Sequence, residues 1–173
     1  MADTWFADYE HLRFRRAGSV LTIEMHRPEV KNAANIRMHN ELSRVFADAQ
    51  RDTDSQIIML TGAGDAFSSG GDIRAMRDKI ADRTLWNDTV NEARALFYSI
   101  LDLDKPLIAR INGAATGLGA TLAVYADIAI AADTAVIGDP HVKVGLVAGD
   151  GGALMWPMLV GFQRAKELLF LGD

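Results

Sequence analysis

The sequence predicts an α/β fold with a largely parallel sheet. Short apolar runs of strand length alternate with longer segments whose apolar residues recur at helical spacing, a pattern typical of strands joined by crossover helices. Glycine-rich loops separate these segments. The 173 residues suit a single core, so we expect one domain over residues 1–173.

The individual elements follow from the same patterns. Alternating apolar residues on both sides of Gly18 predict a hairpin, and Pro106 ends a long helix because proline cannot continue one. We predict strands at 12–14, 20–25, 57–60, 107–111, 128–131 and 135–137. We predict helices at 36–50, 72–80, 84–102, 121–125, 153–159 and 163–171, and glycine-rich loops at 63–71 and 138–152.

The stretch Ile111–Thr121, INGAATGLGAT, predicts a backbone site for an anion. A strand that leads through glycines into a helix leaves N–H groups at the helix start, where the helix dipole favours negative charge. Its glycines follow a late strand and do not have the GxGxxG spacing of a dinucleotide-binding fold. We therefore do not expect that fold.

Composition excludes several classes of function. The chain has no cysteine, which rules out disulfides and thiolate catalysis, and we expect no metal site. A net charge of −5 gives no overall attraction to nucleic acid. No apolar run approaches the roughly 20 residues that span a bilayer, and the first ten residues are acidic, unlike a secretory signal. We expect no membrane partner and a cytoplasmic location.

Four segments together resemble the crotonase superfamily, also called the enoyl-CoA hydratase/isomerase family. They are HRPEVKNA at His26–Ala33, DAFSSGGDI at Asp65–Ile73, INGAATGLGATLAVYADIAIAA at Ile111–Ala132, and GDPHVKVGLVAGDGG at Gly138–Gly152. Each is weak evidence alone, but their order and spacing make the resemblance strong over nearly the whole chain.

The resemblance implies a spiral of strand-strand-helix repeats and an acyl-CoA or related carbonyl substrate. It implies no cofactor other than the coenzyme A of the substrate itself. The shared mechanism of the family stabilises an enolate-type oxyanion with two backbone N–H groups. Those of Gly71 and Leu118 occupy the matching positions. Two donors held in folded backbone favour charge that develops on a carbonyl oxygen.

The resemblance also implies contacts with coenzyme A. Ser69 and Gly70 lie in the loop whose backbone meets the coenzyme, and Asp72 follows them and is expected to cap the next helix. Lys31 and Arg27 lie in the segment that lines the coenzyme entrance in relatives. Each either pairs with phosphate or is simply solvated, and the sequence leaves both alternatives open.

The chain departs from the hydratase pattern at both catalytic glutamates. The resemblance places these two glutamates at positions 121 and 141, where this chain has Thr121 and His141. We keep Thr121 as a substrate-binding candidate. Histidine titrates near neutral pH, and Asp150 follows nine residues later in a glycine-rich loop able to fold back. We expect Asp150 to orient His141, which then takes a proton from water. Asp150 as a helix N-cap is the alternative.

This His/Asp spacing is similar to the carbon-carbon hydrolase branch of the superfamily, which includes 6-oxocamphor hydrolase. We therefore expect hydration or hydrolysis through His141 and Asp150 on an acyl-CoA. Two alternatives stay open: cleavage of a β-diketone that carries no coenzyme A, and acyl-CoA binding without catalysis.

Members of the family continue beyond a segment like Leu168–Asp173 into helices that close the coenzyme site and build trimers. By resemblance, we expect residues 1–173 to be the core domain without that trimerisation segment. We expect the protein to form a homo-oligomer, a trimer or hexamer, where that part is present.

Overall fold

The computed structural model describes the backbone of residues 4–173 and the side chains of residues 5–77 and 81–173. The chain winds in a spiral in which successive turns add one strand to a five-stranded sheet and one to a three-stranded sheet, followed by helix. The expected α/β spiral of strand-strand-helix repeats is therefore confirmed. Numbered along the chain, the strands are β1 (Leu12–Ala17), β2 (Val20–Met25), β3 (Ile57–Gly62), β4 (Ala66–Ser68), β5 (Leu107–Ile111), β6 (Ala114–Thr116), β7 (Ile128–Ala131) and β8 (Ile137–Gly138).

The larger sheet has the order β1-β2-β3-β5-β7. Strands β1 and β2 form the predicted hairpin and pair antiparallel, whereas every later pair in this sheet is parallel. The parallel strands β3 and β5 carry the apolar runs that predicted them, and alternate residues of each run, such as Ile58 and Leu60, are fully buried.

The smaller sheet has the order β4-β6-β8 and is parallel. Strands β4 and β6 lie in stretches that the sequence analysis treated as glycine-rich loops. Each has only three residues, which is too short for apolar alternation to show. Strand β8 begins two residues later than predicted.

Six α-helices cover the sheets, and their positions follow the predicted ones to within a few residues. No helix among the described residues is long and apolar enough to cross a membrane. The helices are α1 (Ile36–Arg51), α2 (Ile73–Ala81), α3 (Arg83–Leu101), α4 (Leu118–Val124), α5 (Gly152–Val160) and α6 (Phe162–Leu171).

Asn32 attaches the segment before α1 to the loop between the two sheets. Its side chain is fully buried, and Nδ2 donates to the carbonyls of Ala63, Ala66 and Phe67 at 2.8, 2.9 and 3.2 Å. Its Oδ1 accepts from the backbone N–H of Arg27 at 2.9 Å. Asn32 has a φ of 56°, in the left-handed region that asparagine tolerates better than most residues.

The segment that Asn32 anchors pairs with the loop after β4. The N–H of Ala34 donates to the carbonyl of Gly70 at 2.7 Å, and the N–H of Asp72 donates to the carbonyl of Ala34 at 3.0 Å. Ser69 adds a bond from its N–H to the carbonyl of Lys31 at 2.9 Å. This pairing fixes the backbone of Gly71 between two bonded residues.

We expect Asn32→Gly to destabilise the protein by about 2–3 kcal/mol, because three buried carbonyls lose a donor while the backbone remains free to adopt the positive φ. Urea unfolding followed by circular dichroism measures the change. Asn87→Ala, which removes an exposed amide on α3, is the control and should shift stability by less than about 0.5 kcal/mol. Equal effects of the two substitutions would contradict the anchoring role of Asn32.

Candidate active site

Two residues whose backbone N–H groups lack an acceptor among the described residues line one cavity from neighbouring loops. A Cβ built on Gly70 would lie 2.6 Å from the carbonyl oxygen of Thr116 and 3.4 Å from the nitrogen of Leu118, so the loop after β4 touches the start of α4. No described residue accepts a hydrogen bond from the N–H of Gly71 or from that of Leu118. Both residues line the cavity, which has a volume of about 530 Å³.

Leu118 is the first residue of α4, and the turn before it depends on glycine. Gly117 has φ 54° and ψ −123°, a conformation that side chains rarely allow. The N–H of Leu118 is thus one of the donors that a helix start leaves without an intrahelical partner. The sequence-predicted donors Gly71 and Leu118 therefore lie side by side, with the helix dipole favouring negative charge between them.

His141 lies in a short 3-10 helix, Pro140–Val144, whose N-cap residue is Asp139. Asp139 caps this helix by accepting from the backbone N–H of His141 at 3.4 Å. The same carboxylate oxygen makes a short contact with Nδ1 of the imidazole. The side chain of Asp139 is fully buried, so it holds the ring in one orientation and favours a proton on Nδ1.

Asp150 lies on the other side of the ring, where its Oδ2 is 3.4 Å from Nε2 of His141. The loop folds back as predicted, with Gly145 and Gly151 at φ 75° and 107°. Thr121 is fully buried, and its hydroxyl lies 3.1 Å from Oδ1 of Asp150. Thr121 therefore contacts Asp150 rather than the cavity.

The structure assigns the orienting role differently from the sequence analysis. The carboxylate bonded to Nδ1 belongs to Asp139, which the sequence analysis missed, whereas Asp150 faces Nε2. A signal was present, because an aspartate directly before a proline is a common helix start. Gly151 occupies the N-cap position of α5 and makes no side-chain cap, but the carboxylate of Asp150, one residue earlier, accepts a hydrogen bond from the backbone N–H of Gly152, the first residue of that helix.

The two carboxylates raise the pKa of His141. Burial of the ring lowers the pKa, but the hydrogen bond to Asp139 and the charges of Asp150 and Asp139 together outweigh it. Burial also raises the pKa of Asp150, against the opposing charge of His141. The imidazolium is thus favoured more than it is in water, which makes neutral His141 a stronger base than a solvated histidine.

The imidazole lies beside the two free N–H groups. A Cβ on Gly117 would be 3.6 Å from Cε1 and 3.8 Å from Nε2 of His141. Oδ2 of Asp150 is buried and makes no hydrogen bond with a described residue. It gains a donor when Nε2 becomes protonated, so this oxygen favours a proton on Nε2. His141 and Asp150 both line the cavity.

The opposite wall of the cavity is apolar and comes from α3, with Trp86, Val90 and Phe97. His39 also lines the cavity, although the sequence analysis placed it outside the site motifs. Its Nδ1 lies 2.7 Å from Oε2 of Glu92, and this pair joins α1 to α3. The cavity thus combines a polar part with an apolar wall suited to a hydrocarbon chain.

The predicted coenzyme-binding residues other than Thr121 lie in or beside the paired segments around Gly71. The guanidinium of Arg27 donates to the carbonyl of Ala33 at 2.5 Å and lies 3.4 Å from the carboxylate of Asp72. Asp72 also caps α2, accepting from the N–H of Arg74 at 3.0 Å. Lys31 is exposed, and its carbonyl bonds the N–H of Ser69. Coenzyme binding by these residues and by Gly70 stays a prediction.

Asp139, His141 and Asp150 offer three possible metal ligands whose atoms lie within 4.8 Å of one another. The two carboxylates face different nitrogens of the ring, however. An ion bound at Nε2 would have Asp150 beside it but Asp139 on the far side of the ring. The arrangement therefore suits proton transfer better than it suits a metal ion.

Curated relatives match most of this chain. It is 36% identical over 159 residues to the 1,2-epoxyphenylacetyl-CoA isomerase of Escherichia coli, an alignment that covers 89% of this chain and 60% of the relative. It is 35% identical over 164 residues to the carnitinyl-CoA dehydratase of Citrobacter koseri, which covers 94% and 61%. The chain thus spans about 60% of the length of these relatives.

Solved structures and a family model agree with these relatives. The crystal structure of an enoyl-CoA hydratase/isomerase from Mycobacterium paratuberculosis superposes with a TM-score of 0.93 at 35% identity, covering 96% of this chain and 67% of that one. An enoyl-CoA hydratase from Thermoplasma volcanium gives a TM-score of 0.88 at 34% identity, covering 97% and 66%. The enoyl-CoA hydratase/isomerase family model matches residues 15–173. The chain therefore belongs to the enoyl-CoA hydratase/isomerase family, the crotonase superfamily.

Proposed function

We propose that this chain carries the catalytic centre of an enzyme that adds water to acyl-CoA thioesters. The observation that supports this most is that backbone N–H donors and a basic imidazole line the same cavity. The unbonded N–H groups of Gly71 and Leu118 lie beside an imidazole that two carboxylates make more basic. The first kind stabilises an oxyanion, and the second takes a proton from water.

In the proposed reaction, the thioester oxygen accepts hydrogen bonds from Gly71 and Leu118. A water beside Nε2 of His141 gives up a proton to that nitrogen while its oxygen bonds to the β-carbon of an enoyl group. The electron pair moves through the conjugated system to the thioester oxygen as an enolate. Asp139 and Asp150 stabilise the imidazolium, which then returns a proton to the α-carbon.

Cleavage of a β-diketone is the second candidate, and the replacement of both family glutamates favours keeping it. The same base would activate water to attack one carbonyl. The carbon-carbon bond would then break, and the oxygen of the departing enolate would accept hydrogen bonds from the N–H groups of Gly71 and Leu118. Both reactions need the same residues, so they differ only in the substrate that the cavity accepts.

We expect His141→Ala to lower kcat by roughly 10²- to 10⁴-fold, because the general base is lost. Hydration of crotonyl-CoA and cleavage of a cyclic β-diketone, each followed by absorbance, identify which substrate is used. His26→Ala is the matched control, since the ring of His26 pairs with Glu24 and does not line the cavity. Full activity of His141→Ala on the accepted substrate would contradict the assignment.

The oxyanion hole is tested through the backbone at Leu118. Proline is well tolerated at the first position of a helix but lacks an N–H, so Leu118→Pro should lower kcat by roughly 10²- to 10³-fold with the fold retained. Leu118→Ala removes the same side chain and keeps the donor, so it should retain most of the activity. Similar rates for the two variants, with matching circular dichroism spectra, would exclude the N–H of Leu118 from the mechanism.

Asp139→Asn should lower the pKa of His141 because it removes the negative carboxylate that faces Nδ1 of the ring. The base works when it is neutral, so the wild-type kcat/KM should rise with pH through the raised pKa. In the variant, this rise should move to lower pH while the maximum rate falls. Titration of the imidazole by NMR and the pH profile measure both effects, and Asp133→Asn on the exposed surface is the control. An unchanged titration in Asp139→Asn would contradict this role.

A further inference from the structure

Tyr125 ends the helix that begins with an oxyanion donor. It is the C-cap residue of α4, whose first residue is Leu118, about 10 Å away along the helix axis. The ring of Tyr125 is buried against Phe97, with centroids 4.9 Å apart, and it lines the cavity. A single short helix therefore carries two of the residues that line the cavity.

The hydroxyl of Tyr125 lies close to the backbone of Gly151, the residue after Asp150. A Cβ on Gly151 would be 2.7 Å from the hydroxyl oxygen and 2.8 Å from Cε2, so only a glycine leaves room for the ring. The positive φ of 107° at Gly151 requires glycine as well. Burial, and then the charge of Asp150, raise the pKa of Tyr125, so its hydroxyl keeps its proton. It is a permanent donor beside the His141–Asp150 pair.

No described residue hydrogen-bonds the hydroxyl of Tyr125, whereas two other polar side chains of the cavity are already engaged. His39 bonds Glu92, and the hydroxyl of Thr89 donates to the carbonyl of Leu85 at 2.8 Å. The hydroxyl of Tyr125 lies against Gly151, and Nε2 of His141, an acceptor when the ring is neutral, lies 3.4 Å from the neighbouring Asp150, so the two groups line the same part of the cavity. The group that complements both is a hydroxyl or a water, because it accepts one hydrogen bond and donates the other.

We propose that Tyr125 donates a hydrogen bond to the reacting oxygen: first to the water that adds, then to the hydroxyl that it becomes on the β-carbon. This inference rests on the proposed function and adds to it a second group that holds the reacting oxygen. It makes Tyr125 a catalytic residue, which neither the motifs nor the missing glutamates indicated.

Calorimetric binding of two esters that differ only in the hydroxyl tests the assignment. The wild type should bind 3-hydroxybutyryl-CoA more tightly than butyryl-CoA, because the hydroxyl bonds both Tyr125 and Nε2 of His141. Tyr125→Phe should lower that preference about 3- to 10-fold, as expected for the loss of one hydrogen bond, with the affinity for butyryl-CoA unchanged. It should also hydrate crotonyl-CoA with a kcat lowered about 10-fold and an unchanged KM, whereas a merely structural role would alter the affinity for both esters.

Tyr9→Phe is the control, because it removes a hydroxyl that bonds Asp48 away from the cavity, and it should keep the wild-type preference. The hydroxyl of Tyr125 bonds no described residue, so thermal unfolding of Tyr125→Phe should match that of the wild type. A wild-type preference retained in Tyr125→Phe would overturn the role of Tyr125 alone. If the wild type bound neither ester, the proposed function itself would fail and this inference with it.

Discussion

Gly70 and Gly117 bring two turns of the spiral into backbone contact, and both donors of the proposed oxyanion hole depend on that contact. A Cβ on Gly70 would overlap the carbonyl of Thr116, so any other residue there would push the loop after β4 away from α4. The parallel pairing of β4 with β6 carries the two loops to the same edge of the smaller sheet. The bonds of Asn32 and Ala34 then hold the first loop from its other side. The donors are thus fixed before any ligand arrives, which is the condition under which backbone dipoles stabilise developing charge most effectively.

The base beside these donors is balanced between two opposing effects. Burial of the imidazole of His141 favours the neutral ring, while the carboxylates of Asp139 and Asp150 favour the imidazolium. Burial alone would lower the pKa of His141, whereas the two carboxylates alone would raise it further. The buried and unbonded oxygen of Asp150 gives the protonated ring an additional acceptor. The positive charge that His141 gains as the enolate forms therefore appears between two carboxylates, which stabilise it.

The sequence was sufficient for the fold and for part of the site. Long periodic segments such as α1 and α3, and the apolar runs of β3 and β5, follow directly from spacing. The glycine loops indicated the Gly71 and Leu118 donors by resemblance, and the nine-residue spacing allowed His141 to meet Asp150. The three-residue strands β4 and β6 were not predictable, because small residues between glycines carry no period. Asp139 and Tyr125 were missed for another reason: their roles arise from which atoms they face, and an orientation inside a folded loop leaves no pattern in the sequence.

In the proposed complex, the backbone N–H groups of Gly71 and Leu118 hold the thioester oxygen while His141 faces the reacting carbon. A crystal structure of the protein with bound 3-hydroxybutyryl-CoA measures this directly. We expect the thioester oxygen to lie about 2.7–3.1 Å from the nitrogens of both Gly71 and Leu118. We also expect the β-hydroxyl to donate a hydrogen bond to Nε2 of His141 and to accept one from the hydroxyl of Tyr125. A thioester oxygen bound away from those two nitrogens, or an ester seated outside the cavity, would contradict this arrangement.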